Sequence, residues 1–160
     1  MRIYILRHGI AEDAPPGGAD ADRALTQEGK QKLRGVLERA RQAGIRPSLI
    51  LTSPLKRAVE TAEIAASILH GADDLIRTNA LGPSGTPERV WKEIRARKTD
   101  EILIAGHEPL LSTLVAFLLG CDTLVVRMKK GALVSVDVEA EGTQPHGILN
   151  WMLISKLAGQ

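Results

Sequence analysis

Three apolar runs, Ile3–Leu6, Leu49–Thr52 and Ile102–Ala105, are continuous rather than alternating. A strand with one wet face alternates polar and apolar residues. A continuous run suits a strand covered on both faces, as in a parallel sheet flanked by helices. A fourth run, Leu133–Val138, sets Val134, Val136 and Val138 against Ser135, Asp137 and Glu139, which predicts a half-exposed strand. Ile148–Ile154 is its expected antiparallel partner, across a turn reaching from Glu141-Gly142 to His146-Gly147.

Helical patterns separate the runs. Between Gln27 and Ala43 the stripe is Leu33, Val36, Leu37 and Ala40, with Thr26 as N-cap and Gly44 as stop. Between Pro54 and Leu69 it is Ala58, Ala62, Ala65 and Leu69, with Ser53 as cap and Pro54 in the first helical position. His70-Gly71 marks the end of that helix. Thr86-Pro87 repeats the cap-then-proline signal ahead of Val90, Trp91 and Ile94, and Pro109–Leu119 is apolar nearly all round. With a short strand near Leu75–Thr78, the order predicts an α/β three-layer α/β/α sandwich. Its central sheet is mainly parallel and ends in an antiparallel hairpin. The 160 residues suit one domain, 1–160, and no linker divides them.

Composition excludes several functions. One cysteine, Cys121, rules out a disulfide scaffold and reads as a small buried hydrophobe. A net charge of +2 and 2% aromatic residues give no support to nucleic-acid binding. No apolar run reaches the roughly 18 residues of a membrane span, and no secretory leader is recognised, so a cytoplasmic protein is expected. The four histidines are far apart in sequence and no second cysteine joins Cys121, so no metal or other cofactor is expected.

In open α/β sheets ligands bind beyond the carboxyl ends of the strands. Arg7-His8-Gly9 follows the first run, Ser53-Pro54-Leu55-Lys56-Arg57 the second and Gly106-His107-Glu108-Pro109 the third. Two arginines and two histidines are therefore expected at one sheet edge. Arginine matches phosphate oxygens bidentately and stays charged at any working pH. A neutral imidazole held in one tautomer is a nucleophile toward phosphorus. Gly9 allows close approach of backbone to ligand, and Arg57 lies in a helix's first turn.

Leu6-Arg7-His8-Gly9 resembles the signature of the histidine phosphatase, or phosphoglycerate mutase-like, superfamily. Arg23-x-Leu25-Thr26-x-x-Gly29 is similar to the segment opening its first helix. Ser53 through Arg57, with Ala58, Thr61 and Ala62, is similar to its second arginine motif, and Gly106-His107-Glu108-Pro109 to its second histidine motif. The length and the Arg-His-Gly-x-Ala-Glu opening resemble SixA-type phosphohistidine phosphatases. The resemblance implies a phosphoglycerate mutase-like fold, with His8 as the nucleophile that carries a phosphohistidine intermediate. Arg7, Arg57 and His107 would bind the phosphoryl group.

Many members of the superfamily protonate the leaving group with an acid between the second arginine and second histidine motifs. Arg77–Gly85 holds no carboxylate here; the nearest are Asp73, Asp74 and Glu88. Glu12, Asp13 and Glu108 are the replacement candidates. Gly9, Arg23, Glu12 and Asp13 are the expected substrate-binding residues, although Arg23 equally suits a pairing with Asp20 or Asp22, and Glu12 and Asp13 suit plain loop carboxylates. The expected partner is a protein bearing phosphohistidine, such as a histidine phosphotransfer domain, with phosphate-type anions entering the site. Phosphorylated imidazole needs a protein acid less than an alkoxide does, and the stretch from Arg57 to His107 leaves no room for a lid domain. The alternatives are a phosphomonoesterase for a small metabolite and a non-catalytic phosphate-binding module. Trp91 and Trp151 read as packing residues, His146 as a turn residue, and Lys129-Lys130 as a solvated pair able to steer an acidic partner.

Overall fold

Each continuous run forms a strand, and both faces of each are buried. The computed structural model describes residues 1–71, 74–139 and 144–159. The strands are β1 (Arg2–Arg7), β2 (Leu49–Thr52), β3 (Asp74–Arg77), β4 (Glu101–Gly106), β5 (Leu133–Glu139) and β6 (His146–Leu153). They form one sheet in the order β3-β2-β4-β1-β5-β6. The β3, β2, β4 and β1 strands run parallel, and β5 and β6 antiparallel.

Four helices cover the sheet: α1 (Gln27–Gln42), α2 (Lys56–Leu69), α3 (Pro87–Arg95) and α4 (Leu110–Leu118). Successive strand residues point to opposite faces. Tyr4, Leu6, Ile50 and Leu103 pack with Leu33, Leu37, Ala62 and Ala65 of α1 and α2. Ile3, Ile5, Leu51 and Ile104 pack with Val90, Ile94, Leu111 and Leu114 of α3 and α4. A helical layer on each face is the physical reason that these runs carry no polar alternation.

The helix stops follow the local chemistry. Thr26 Oγ1 accepts the Gly29 N–H at 2.8 Å, and Thr86 Oγ1 that of Arg89 at 3.3 Å. α2 departs from expectation: its N-cap is Leu55 and it begins at Lys56. Ser53 Oγ accepts the Leu55 N–H at 3.3 Å and lies 3.4 Å from His107 Nε2, so its hydroxyl is turned toward the sheet edge instead of capping the helix. His70 itself takes the left-handed conformation that closes α2.

The C-terminal hairpin also differs in detail. Ser135 is buried rather than facing water, because its cross-strand neighbours Tyr4 and Trp151 flank it with their rings 6.4 Å apart, and Asn150 Nδ2 donates to its hydroxyl at 3.4 Å. His146 is the first residue of β6, paired with Glu139, and not a turn residue. The expected turn residues Glu141 and Gly142, and Asp73, one of the carboxylates nearest to Arg77–Gly85 in sequence, lie outside the described residues. Cys121 is exposed, not buried: Gly120 (φ 64°) turns the chain out of the core just after α4. Trp91 is buried as expected, whereas Trp151 on β6 is 36% exposed and leans on Tyr4. No helix among the described residues is long and apolar enough to cross a membrane.

Candidate active site

The carboxyl ends of β1, β2 and β4 lie side by side, and backbone bonds lock their following residues together. His8 N–H donates to Gly106 O at 2.9 Å, and Ser53 N–H to Ala105 O at 3.0 Å. His8, Arg57 and His107 are 7%, 7% and 8% exposed, and Arg7 is half-buried. The two imidazole rings stand 6.4 Å apart between centroids, at 80° to each other. The four residues expected at one edge are thus together there.

His8 Nδ1 lies 2.7 Å from Gly9 O. A carbonyl oxygen only accepts, so Nδ1 carries the proton and Nε2 keeps its lone pair. Burial pushes the His8 imidazolium down to about 4; the Gly9 carbonyl opposes this, and the charges of Arg57 and Arg7 add to it. His8 is therefore neutral at physiological pH and fixed in one tautomer, as a nucleophile requires.

His107 is held from the other side. Its Nε2 donates to Leu81 O at 2.8 Å. Burial lowers its pKa, the Leu81 carbonyl opposes that, Arg57 lowers it further and Asp20 raises it. A dianionic ligand beside its Nδ1 would favour the protonated, donating form.

The guanidinium groups are anchored by their terminal nitrogens. Arg7 Nη1 donates to Met128 O at 2.6 Å. Arg57 Nη1 donates to Asp20 O at 2.8 Å and Nη2 to Asp20 Oδ2 at 3.0 Å. Nε of Arg7 and Nε of Arg57 are buried and have no hydrogen-bond partner among the described residues. A buried donor without an acceptor is costly, and an anion between the two histidines is the natural acceptor. Thr61 ties the arrangement: its hydroxyl donates to Arg57 O at 2.7 Å and accepts the Gly9 N–H at 3.3 Å.

The remaining expected residues are placed as follows. A Cβ on Gly9 would lie 3.2 Å from Gly29 O and 3.3 Å from Leu25 Cδ2, so its bareness serves the packing of α1. Arg23 pairs with Asp20 at 3.0 Å, one of the two options open from sequence, and donates from Nε to Glu12 O at 2.7 Å. Glu12 enters this network through its backbone carbonyl, and Glu12 and Asp13 are both exposed. Glu108 accepts from the Ser112 hydroxyl, while its Oε1 is buried without a partner among the described residues.

Asp20, Ser53, Thr61 and Met128 are site residues to which the sequence assigned no such role. Asp20 bridges Arg23 and Arg57, which keep its carboxyl below the usual range, Arg23 contributing most. Its only sequence signal was its closeness to Arg23, three positions away.

Residues 3–81 match the histidine phosphatase superfamily (branch 1). An uncharacterised protein of Picosynechococcus is 33% identical over 150 residues, covering 91% of this chain and 90% of its own length. The protein histidine phosphatase SixA, solved with tungstate, superposes with a TM-score of 0.86 at 26% identity, over 98% of each chain. A mycobacterial glucosyl-3-phosphoglycerate phosphatase shares the fold, with a TM-score of 0.70 at 17% identity over 93% of this chain and 96% of that one.

Proposed function

The chain belongs to the histidine phosphatase superfamily, and from that premise we propose that it removes the phosphoryl group from phosphohistidine on a partner protein, without a metal. The observation that carries the reading is the fixed tautomer of His8, which leaves Nε2 unprotonated at a sheet edge where Nε of Arg7 and Nε of Arg57 are buried without a partner among the described residues.

In the first step His8 Nε2 attacks phosphorus. The P–N bond of the substrate breaks, and its electron pair returns to the leaving imidazole, which departs as a neutral ring once protonated. Arg7 and Arg57 neutralise the equatorial oxygens, and His107 donates from Nδ1 when protonated. In the second step water attacks phosphorus, and the P–Nε2 bond breaks with its electron pair returning to Nε2. The proton of the attacking water passes to the departing inorganic phosphate or to solvent, and His8 returns to its neutral form with Nδ1 protonated.

The leaving group argues for phosphohistidine over an ester. The segment Arg77–Gly85 passes the site at Leu81, the residue bonded to His107, and carries no carboxylate. Asp20 is held ionised by two arginines, so it is a poor acid. An imidazole protonated on its own ring leaves without such help, whereas an alkoxide does not. The likeness to SixA supports the same choice. In this reading the enzyme is cytoplasmic and its partner is a signalling protein such as a histidine phosphotransfer domain.

The likeness to a glucosyl-3-phosphoglycerate phosphatase favours a second reading, a small-metabolite phosphomonoesterase. Turnover of a phosphohistidine protein and an aryl phosphate, by wild type and His8→Ala without added metal, separates the two. Fast phosphohistidine hydrolysis that is lost in the variant is the expected result. Preference for the ester would overturn the first reading.

A further inference from the structure

Beside the catalytic histidines a separate cleft of about 720 Å³ opens between the end of β3 and α3. Arg77, Arg89, Lys92 and Arg97 line it, with Glu93 as its one acidic residue among the described residues. Glu93 is already paired with Arg97 at 3.3 Å. Among the described residues Arg77, Arg89 and Lys92 have no carboxylate partner. Four cations against one anion give this wall an excess of three, although the whole chain carries only +2. This wall is therefore more basic than the protein as a whole, and it creates a local field able to steer an anionic partner.

The cleft shares a wall with the active site. Ala80 lines it, and the next residue, Leu81, accepts the hydrogen bond from His107. A second basic element lies on the β1 side. Gly131 N–H donates to Arg7 O and His8 O, and the preceding Lys129 and Lys130 are exposed. Arg89 and Arg97 are eight residues apart along α3 and its final turn, about 12 Å at helical rise. Charges spread over that length suit several carboxylates on a protein face better than a single phosphate.

We propose that this cleft is a docking surface for acidic residues flanking the phosphohistidine of the partner protein. The proposal deepens the phosphohistidine reading and rests on it. Arg77, Arg89 and Lys92 contact the partner's carboxylates and set KM, while the chemistry stays with His8.

The test uses nine-residue peptides with a central phosphohistidine and acidic, neutral or basic flanks, with phosphoimidazole as a substrate that cannot reach the cleft. Four residues on each side span about 13 Å when extended. Wild type should prefer acidic flanks over basic ones at least tenfold in kcat/KM, and added salt should erase the preference. In R77E/K92E the order should flatten or invert through KM, with phosphoimidazole turnover unchanged. Equal rates on all peptides in wild type, with phosphoimidazole hydrolysed normally, would overturn the docking cleft alone. Failure of wild type on phosphoimidazole as well as the peptides would remove the phosphohistidine reading and the cleft with it. Inhibition by a duplex oligonucleotide at lower charge concentration than by the acidic peptide would reassign the cleft to nucleic acid.

Discussion

Asp20 Oδ2 sits 3.0 Å from Arg57 Nη2, so a carboxylate from the loop after β1 occupies the guanidinium expected to hold substrate phosphate. Two anions beside one guanidinium repel each other. The Asp20 side chain is 63% exposed, so water screens this repulsion and its effect is modest. Asp20→Ala should raise affinity for vanadate or phosphate about two- to fivefold, read by calorimetric titration. Weaker binding would mean instead that Asp20 holds Arg57 in its working position.

His8 titrates at about 4, below its ordinary 6.5. The His8 ring should therefore stay neutral down to about pH 5, as the proposed nucleophile must, and its resonances in an NMR titration should move only near pH 4. Stability is linked to the same shift. Between pH 6.5 and 4 the unfolded chain binds a proton at this position that the folded chain does not, so stability rises with pH across that window. The contribution is complete above pH 6.5 and is lost as pH falls to about 4; at its largest it is about 3 kcal/mol. Denaturant midpoints against pH should show a shallower acid slope in His8→Asn. The same variant should lose roughly 10³-fold or more in turnover.

Thr61 joins Gly9 to Arg57 through one hydroxyl. Thr61→Val keeps the shape and takes the hydroxyl acceptor from the buried Gly9 N–H, while Arg57 O keeps its helical backbone donor. The expected cost is about 1–3 kcal/mol in unfolding free energy. A larger fractional loss in kcat than in stability margin would mark displacement of Arg57 and His8. An unchanged kcat would show that neighbouring packing alone holds them.

Gly29 lies under the loop that leaves the nucleophile. A Cβ there would overlap Ile10 O and lie 2.8 Å from Ile10 N, both backbone atoms that cannot swing aside. Ile10 is two residues from His8. Gly29→Ala should destabilise the fold by about 1–3 kcal/mol despite alanine's better helix propensity, and should lower kcat. Thermal melts and steady-state rates on the same preparation check both.

Much of this protein is legible from local pattern. Ile3–Leu6, Leu49–Thr52 and Ile102–Ala105 announce doubly covered strands because both of their faces pack on helices. A strand also fixes where its next residue emerges, so Arg7, His8 and His107 could be placed at one edge before any distance was known. Ser53 shows the limit of that reading. Its neighbours spell a helix cap, yet His107, 54 positions away, lies within reach of its hydroxyl. Cys121 and Ser135 show a related limit: burial depends on where the chain turns and on which side chains of other strands lie alongside, and a local window contains neither.

The sequence alone therefore determined the strand and helix order and the placing of Arg7, His8, Arg57 and His107 at one sheet edge, because both follow from periodicities of a few residues and from what directly succeeds each strand. Tertiary structure alone decided the grip of Asp20 on Arg57, the bond from His107 to Leu81 and the meeting of Arg77 with the cations of α3 in one cleft. Those features depend on where loops close and where side chains from distant segments meet. Chain closure over tens of residues is set by the packing of the whole molecule, not by the residues that happen to meet.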